Sequence, residues 1–387
     1  MSSLLTLNAG SSSLKFGLYR AAPEPDLLAD GQVAGVGNTA QLILRVGNNA
    51  SQTEISAETQ ASALAEVMRA LAPHMFGLEI TGVGHRVVHG GPDYATPIVL
   101  TPEVQDALAS FIPLAPLHQP HNLAGISAAH LAFPDAIQVA CFDTAFHRGH
   151  PWVNDAFALP RALYTEGIRR YGFHGLSYEY VTGVIATEFP DLQKGRVIIA
   201  HLGNGASMCA IRDGKSVGST MGFSALDGLP MGTRCGQIDP GVVLYLIEQK
   251  RMTPHDVFQL LYKQSGLLGL SDISGDMREL LASDQPEAAQ AIDYYVFRAR
   301  REIGALSAVL GGIDGLVFCG GIGENADGIR RRIVDGLDYL GLRINPSSTH
   351  GDPRDIGTGP TRILVVPTDE ERVIARAVNR ALNQTNR

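Results

Sequence analysis

Apolar and polar residues alternate at the start of the chain in a pattern that predicts a β-hairpin with a polar tip. The run from Leu4 to Tyr19 contains a strand, a tight turn of small residues and a second strand that returns beside the first. The tip combines small, polar and cationic residues, namely Asn8, Ala9, Gly10, Ser11, Ser12, Ser13 and Lys15. Such residues suit a phosphate group, although serine and glycine are also common in ordinary turns.

The same plan of strand, small polar turn and strand recurs at residues 196–214. The second turn contains Gly203, Asn204, Gly205 and Ser207, and it lacks a lysine. A repeat with a phosphate-type turn in each half predicts two similar domains that face one nucleotide, because one loop cannot surround a triphosphate.

A strand that runs into a glycine turn is predicted for residues 81–92. Strand alternation places Arg86 and Val88 on one face and His85, Val87 and His89 on the other. A guanidinium beside a small apolar side chain suits a short carboxylate. The alternative is an edge-strand arginine that pairs with a surface acid. Before this strand, only one further strand, near residues 41–46, and one amphipathic helix, near residues 64–71, are predicted.

Two more groups of polar residues follow in the first half of the chain. Asp143 ends a buried strand at residues 136–142, where open α/β sheets bind their ligands, so it is a site candidate. His118 and His121 look like a metal-binding pair, but Pro120 between them breaks the helical face that such pairs use. We therefore expect no metal at the two histidines.

Two glycine-rich loops in the second half present single charged or titratable side chains. His174 lies before a helix that is predicted to end near residue 188, and Arg234 lies in the loop at residues 231–241. A loop histidine is often merely solvated, so each residue is only a candidate when taken alone.

A strand, a glycine turn and a helix are predicted from residue 315 onward, after a long helix at residues 286–310. This turn would let an anion or a ribosyl group approach the backbone at a helix N-terminus. The spacing of Gly321, Gly323 and Ala326 also matches a dinucleotide fingerprint. That motif normally opens a nucleotide domain, and here it comes late.

The segment Thr368–Glu371 follows a strand at residues 362–367 and has the sequence of a capping box at the start of a helix. In this interpretation Glu371 serves as the capping acid, and Asp369 and Glu370 are free to bind Mg²⁺.

Composition restricts the class of protein. The chain has 387 residues, of which 45% are hydrophobic and 18% charged, and this favours a soluble protein of two globular domains. A net charge of −8 argues against binding to nucleic acid or to an anionic membrane. No apolar run is long enough for a membrane span and no export signal is evident, so a cytoplasmic location is expected. The four cysteines are far apart and indicate neither a disulfide scaffold nor a zinc site.

Nine short blocks in one order resemble the acetate kinase family, which belongs to the superfamily of sugar kinases, Hsp70 and actin. The blocks are residues 8–15, 84–91, 116–118, 142–146, 171–175, 201–205, 231–234, 321–325 and 370–371. The resemblance implies a duplicated two-domain α/β fold of the ribonuclease H type with the active-site cleft between the domains. The first domain is expected at residues 1–147 and 371–387, and the second at residues 148–370.

The resemblance also implies Mg²⁺-dependent, reversible in-line transfer of a phosphoryl group from ATP to acetate, which gives ADP and acetyl phosphate. By position, Arg86 would hold acetate, Asp143 would be the essential acid, and His174 and Arg234 would stabilise the transferring phosphoryl group. Asn8 and Glu370 would bind Mg²⁺, which Mn²⁺ could replace. The expected walls of the acetate pocket are Val88, Leu117, His118, Phe173 and Pro230.

Nucleotide contacts are implied for both hairpin turns and for two later segments. These residues are Asn8, Ser11, Ser13, Lys15, His201, Leu202, Gly203, Asn204, Gly205, Asp276, Met277, Arg278, Gly321, Ile322, Gly323, Glu324 and Asn325. A homodimer through the second domain is implied as well. The competing hypotheses are a propionate kinase, a nucleotide-switched binding protein without catalysis, and a dinucleotide oxidoreductase.

Overall fold

The computed structural model describes residues 1–348 and 354–385, and the chain divides into two compact units. The first unit comprises Met1–Arg148 with Asp369–Arg387, and the second comprises Gly149–Thr368. Compared with the expected boundaries, the first unit therefore also includes Arg148, Asp369 and Glu370.

The first unit is built on one sheet of eight strands with the order β5-β4-β3-β2-β1-β6-β8-β7. Its elements up to residue 148 are β1 (Ser2–Ala9), β2 (Ser13–Arg20), β3 (Asp26–Ala34), β4 (Thr39–Val46), β5 (Asn49–Ser56), α1 (Gln60–Leu71), β6 (Glu79–Val87), β7 (Ile98–Val99), α2 (Pro102–Ser110), α3 (Gln119–Ala132) and β8 (Ile137–Phe142). β1 and β2 form the predicted hairpin, and β1, β6 and β8 run parallel to one another. Apolar residues of β1–β4, α1 and α3 form its main core.

The sequence prediction missed three of the strands in this unit, namely β3, β5 and the short β7. It placed a single strand near residues 41–46, whereas the structure has β3, β4 and β5 in an antiparallel meander. β5 has the sequence NASQTEIS and is exposed along nearly its whole length. A strand that is polar on both faces has no alternation of apolar and polar residues, so the pattern could not reveal it.

The second unit contains a five-stranded sheet that is surrounded by helices. Its elements are α4 (Trp152–Asp155), α5 (Arg161–Thr165), α6 (Gly175–Glu188), β9 (Arg196–Leu202), β10 (Ala206–Arg212), β11 (Lys215–Ser219), α7 (Pro240–Glu248), α8 (Pro254–Lys263), α9 (Gly266–Ser271), α10 (Met277–Leu281), α11 (Pro286–Leu310), β12 (Gly315–Cys319), α12 (Gly320–Asn325), α13 (Asp327–Val334) and β13 (Arg362–Val365). The predicted helix at residues 286–310 is confirmed.

The two sheets share one topology, and this confirms the predicted internal repeat. The second sheet has the order β11-β10-β9-β12-β13, with an antiparallel hairpin β9–β10 and with β9, β12 and β13 parallel. The first sheet contains the same series as β3-β2-β1-β6-β8. The two hairpin turns therefore occupy equivalent positions in the two sheets.

Helix α14 (Glu370–Thr385) returns to the first unit and packs directly on β6. Two glycines of β6 permit this close approach, because a Cβ at Gly84 would overlap Ile374 and Val378, and one at Gly82 would overlap Val378. The start of α14 is thereby held beside the end of β6. Across the described ranges, no helix is both long and apolar enough to cross a membrane.

Candidate active site

The tip of the first hairpin is a closed turn whose serine side chains face outward. The Gly10 N–H donates to the Ser13 carbonyl at 2.8 Å, and Gln60 of α1 donates to the Gly10 carbonyl at 2.7 Å. Ser11, Ser12 and Lys15 are exposed, and Asn8 pairs with Lys15 across the hairpin. The turn is thus held by α1 while its hydroxyls and its ammonium group remain accessible.

Arg86 lies at the centre of a group of polar residues that we call the arginine–carboxylate cluster, which consists of Asn8, Arg86, Asp143 and Glu370. Arg86 donates from Nε and Nη2 to the two carboxylate oxygens of Asp143 at 2.9 and 2.6 Å. Its Nη1 lies 3.4 Å from Asn8 Oδ1, and its Nε lies 3.7 Å from a Glu370 oxygen. Three residues, from β1, from α14 and from the position after β8, therefore converge on the one guanidinium of β6.

The charge of this cluster is set by burial and pairing. Burial opposes the charge of Arg86, but the Asp143 and Glu370 carboxylates outweigh it and raise the Arg86 pKa, so this residue stays a cation. Burial raises the pKa of Asp143, and the guanidinium of Arg86 opposes that effect. The alternative of an exposed arginine with a surface acid is wrong, because the Asp143 side chain is only 2% exposed.

The interpretation of Glu371 as the capping acid is wrong. α14 begins at Glu370, and Asp369 caps it, since its Oδ1 accepts from the Arg372 N–H at 2.9 Å. The other Asp369 oxygen pairs with the Arg372 guanidinium, so Asp369 is not free to bind a cation. The cap lies one residue later than predicted, and Glu370 falls in the first helical turn, facing Arg86.

Two amides in the first turn of α3 position the residues that follow β6, and the sequence interpretation missed them because it considered the histidines. Asn122 accepts from the Val88 N–H at 2.9 Å and donates to the Ala9 carbonyl at 2.8 Å. Gln119 donates to the His89 carbonyl at 3.0 Å. Their signal in the sequence is an alternation of amide and histidine residues. The expected pocket residues of this unit lie nearby in the chain, with Val88 buried and Leu117 and His118 half-buried.

In the second unit, the His174 ring is held by the hydroxyl of Ser207, which in turn meets the hydroxyl of Tyr178. His174 lies immediately before α6 in the left-handed conformation, with φ of 58°. Its Nδ1 is 2.8 Å from Ser207 Oγ of β10, which is 2.5 Å from the hydroxyl of Tyr178. Its ring stacks on His201 with a centroid distance of 4.3 Å. Such a backbone conformation is costly for a residue with a side chain and is often found at functional sites.

Gly205, in the turn between β9 and β10, leaves a gap beside His174 and Arg234. A Cβ at this position would lie 3.3 Å from His174 Nε2 and 3.8 Å from Arg234 Nη1. Within the unit, Arg234 donates to the Ala225 carbonyl at 3.0 Å and approaches the Met231 sulfur at 3.5 Å. We call His174, Gly205, Ser207 and Arg234 the histidine–arginine cluster, and its imidazole and guanidinium are donors of the kind that stabilise an anion.

The loop that carries Arg234 is fixed to α11 through Gln237. The Gln237 side-chain oxygen accepts from the buried Arg298 at 2.9 Å and also from Arg301. One neutral amide oxygen thus accepts a hydrogen bond from each of two guanidinium groups. The sequence interpretation assigned no role to this residue, because the two arginines lie about sixty positions away along the chain.

A cavity of about 520 Å³ in the second unit is lined by eight of the seventeen expected nucleotide contacts. The expected residues in its wall are Gly203, Asn204, Asp276, Met277, Arg278, Gly321, Ile322 and Asn325, and the wall also includes Gly275, Leu281 and Ala326. Leu281 lies one helical turn after Met277, so the period of α10 could have indicated it. The size and the mixture of apolar and polar groups suit a nucleoside.

Several other expected contacts lie outside this wall. Gly323 is buried within α12, which begins directly after β12 without the predicted glycine loop. Glu324 instead accepts from the N–H groups of Gly320 and Thr368 at 2.9 and 3.2 Å. Leu202 is fully buried in β9, and Phe173 and Pro230, the expected walls of the acetate pocket, are buried in the second unit.

The donors around Arg86 fit a magnesium ion by their chemistry. Asn8 and Glu370 present hard oxygen ligands, and Mg²⁺ usually takes one or two carboxylates and keeps several waters. Among residues 1–348 and 354–385, no group of three or more His, Cys, Asp or Glu side chains is placed to hold a metal ion.

Comparison with known proteins gives one consistent family. The family model described as the acetokinase family matches residues 3–376. The acetate kinase of Methylocella silvestris is 52% identical, covering 98% of both chains, and that of Rhizobium meliloti is 48% identical, covering 97% of both. The crystal structure of Porphyromonas gingivalis acetate kinase matches with a TM-score of 0.89, 36% identity and coverage of 99% of this chain and 100% of that one. A propionate kinase from Francisella tularensis matches with a TM-score of 0.91, 34% identity and coverage of 98% and 100%.

Proposed function

This chain belongs to the acetokinase family and has its duplicated α/β fold, and from that premise we propose that it is an acetate kinase that transfers a phosphoryl group between ATP and acetate. A carboxylate oxygen of acetate attacks the γ-phosphorus while the bond to the leaving oxygen of ADP breaks, which gives acetyl phosphate. The observation that carries the proposal is the family match over residues 3–376. The dinucleotide oxidoreductase hypothesis is wrong, because neither the family nor its relatives are of that class.

The chemistry of the reaction agrees with the groups present. A carboxylate nucleophile is already ionised near pH 7, so the reaction needs no strong general base. It needs positioning and the stabilisation of charge on the phosphoryl oxygens. We assign acetate binding to Arg86, and Asp143 acts by holding that guanidinium in one orientation through two hydrogen bonds.

The second unit supplies the groups for the nucleotide and the moving phosphoryl group. The cavity between the turn at Gly203 and the helix α10 would take the nucleoside. His174 and Arg234 would donate to the phosphoryl oxygens, because the gap at Gly205 faces both of their nitrogens. Lys15 would offset part of the negative charge of the phosphates, and the serines of the first hairpin would donate hydrogen bonds to them.

A magnesium ion would be held by the side-chain oxygens of Asn8 and Glu370 together with waters. When bound, it would supply positive charge to the phosphates of the nucleotide. Asp369 is excluded from this role by its cap and its ion pair with Arg372.

Acetate is favoured over propionate by the relatives, since the two most similar ones given above are acetate kinases. A propionate kinase is nevertheless among the similar structures. One methylene changes binding in an apolar pocket by only ~1–3 kcal/mol. The ratio of kcat/KM for the two acids therefore tests the substrate, and a preference for propionate would overturn it.

A homodimer through the second unit is proposed from an exposed apolar helix. α7 has no buried residue, and its apolar side chains Val242, Leu244, Tyr245 and Ile247 are between 37% and 57% exposed. Such a surface suits a second copy of the chain. We expect light scattering to give a dimer mass and Leu244→Glu to give a monomer. A wild-type monomer would contradict the proposal. The predicted cytoplasmic location stays a prediction.

The decisive test of the activity is acyl phosphate formation. Purified protein is incubated with ATP, Mg²⁺ and acetate, and the product is trapped with hydroxylamine. We expect the hydroxamate to form and the reverse reaction to produce ATP from ADP and acetyl phosphate. Binding of ATP without an acyl phosphate from any short carboxylate would instead favour a nucleotide-switched binding protein.

A further inference from the structure

His174 is connected to the interior of the second unit through a chain of two hydroxyl groups. Ser207 Oγ lies 2.8 Å from His174 Nδ1 and 2.5 Å from the Tyr178 hydroxyl, and both Ser207 and Tyr178 are fully buried. Tyr178 lies one helical turn after His174 on α6, and Ser207 reaches them from β10. Three residues from two elements therefore form one hydrogen-bonded chain that ends at the imidazole.

The direction of this chain follows from the chemistry of its members. Ser207 has a single hydroxyl hydrogen and two neighbours within hydrogen-bond distance, so it donates to one and accepts from the other. A phenol is the stronger donor and an imidazole nitrogen the stronger acceptor. Burial raises the pKa of Tyr178 well above its usual value, so the phenol keeps its proton and can donate it. Tyr178 then donates to Ser207, and Ser207 donates to His174 Nδ1.

The other ring nitrogen faces the gap described above. Because Nδ1 is used as an acceptor, the proton of the neutral imidazole lies on Nε2, the atom that faces the gap at Gly205 beside Arg234. A neutral imidazole with its proton on Nε2 would donate a hydrogen bond into the gap.

We propose that Tyr178 and Ser207 are positioning residues that fix the tautomer of His174, so that Nε2–H donates to the transferring phosphoryl group. This role rests on the proposed phosphoryl transfer, but the tautomer itself can be measured without turnover. Outer residues that orient an imidazole in this way change metal affinity or activity by about 10- to 100-fold in metal sites, and we expect an effect of this size here.

The first experiment is a long-range ¹H–¹⁵N spectrum of protein labelled at histidine, with the His174 signals assigned by their loss in His174→Gln. We expect an acceptor-type signal for Nδ1 and a protonated Nε2 near neutral pH. We expect the Ser207→Ala variant to show exchange between both tautomers. A proton on Nδ1, or on both nitrogens, in the wild-type protein would overturn the proposal.

The second experiment is steady-state kinetics. Ser207→Ala should lower kcat about 10- to 100-fold and Tyr178→Phe about 10-fold, with KM values for acetate and ATP changed by less than about 3-fold. Ser207→Thr keeps the hydroxyl and should restore most of kcat. The matched control is Tyr295→Phe, which removes another buried phenol hydroxyl of this unit that has no hydrogen-bond partner among the described residues. An equal loss in the control, or an effect on KM alone, would contradict the positioning role.

The two experiments separate this inference from the proposed function. If His174 carries its proton on Nε2 and no carboxylate yields an acyl phosphate, the activity is wrong and the positioning of the ring stands. If the enzyme turns over acetate and the proton lies on Nδ1, the activity stands and the positioning role is wrong.

Discussion

The arginine–carboxylate cluster and the histidine–arginine cluster hold their functional groups by opposite means. In the first unit, Arg86 is bound by both oxygens of Asp143 and lies close to Glu370. Within the second unit, Arg234 donates to a carbonyl and approaches a thioether, and His174 is held by a serine hydroxyl. One cation is thus fixed by formal negative charge, and the contacts of the other that are described above are with neutral groups.

The difference suits the two tasks that we propose for these clusters. A guanidinium in a bidentate ion pair is held rigidly, and its positive charge is already balanced by the carboxylate. It can therefore orient a small carboxylate without a large change in its own interactions. A guanidinium held by neutral acceptors gains more when negative charge develops beside it. Interactions that strengthen only in the transition state raise kcat, whereas those present throughout lower KM.

The largest expected effect comes from removing the second arginine. Arg234→Ala should lower kcat by about 10³-fold, with little change in the KM for acetate, because its charge acts mainly on the transferring phosphoryl group. The hydroxamate assay measures both constants. Arg343→Ala, at an exposed ion pair of the same unit, serves as the control and should be neutral. An effect confined to KM would assign Arg234 to substrate binding instead.

Removing the first arginine should affect binding and stability instead. Arg86→Ala leaves the buried Asp143 without its counter-charge, so we expect a loss of about 3 kcal/mol in the free energy of unfolding and a higher KM for acetate. Adding Asp143→Asn removes the remaining charge and should restore part of the stability but not the KM. Urea unfolding measures the stability. A double variant less stable than Arg86→Ala would contradict the charge argument.

Buried histidines extend the comparison to pH. His85 is 2% exposed, its Nε2 lies 2.7 Å from Gln138, and burial lowers its pKa to about 4. Below about pH 6.5 the unfolded chain binds a proton that the folded chain does not. The contribution of His85 to the free energy of unfolding should therefore be fully present above that pH. It should be lost as the pH falls toward 4, by about 3 kcal/mol at most. His85→Gln should reduce the slope of the free energy of unfolding against pH between pH 7 and 5, which urea unfolding at each pH measures. An unchanged slope would contradict this assignment.

The smallest effect concerns the glycines that set the distance between β6 and α14. Gly84→Ala should destabilise the first unit by about 1–3 kcal/mol, because the methyl group would overlap Ile374 and Val378. The matched control is Gly183→Ala in the exposed part of α6, where a Cβ meets nothing within 4 Å. It should gain about 0.5–1 kcal/mol from helix propensity. Equal effects of the two substitutions on thermal unfolding would contradict the packing argument.

Much of this architecture could be predicted from local sequence patterns. The two hairpins, the repeat and the helix at residues 286–310 follow from alternation and periodicity, which are properties of neighbouring residues. The polar strand β5 has neither signal, because both of its faces are polar. The position of the cap at Asp369 also required the structure, since Thr368 and Asp369 are both good capping residues and packing selects between them.

The candidate site residues could be named individually from the sequence, but their partners could not. Arg86 and Asp143 were both candidates, yet their bidentate pair depends on the alignment of two parallel strands. Asn122 and Gln237 were missed because each acts on a backbone or a side chain far away along the chain. Sequence patterns show which residue types are available, whereas distant contacts determine which atoms they meet.

The packing of α14 on β6 has a consequence for how the protein is made. A ribosome releases residues 1–148 and then the whole second unit before it releases the helix that carries Glu370 and covers Gly82 and Gly84. During that interval the β6 face is exposed and the arginine–carboxylate cluster lacks one of its acids. The nascent first unit therefore lacks Glu370 and exposes an apolar, aggregation-prone face until α14 emerges, and the whole second unit is synthesised before that point.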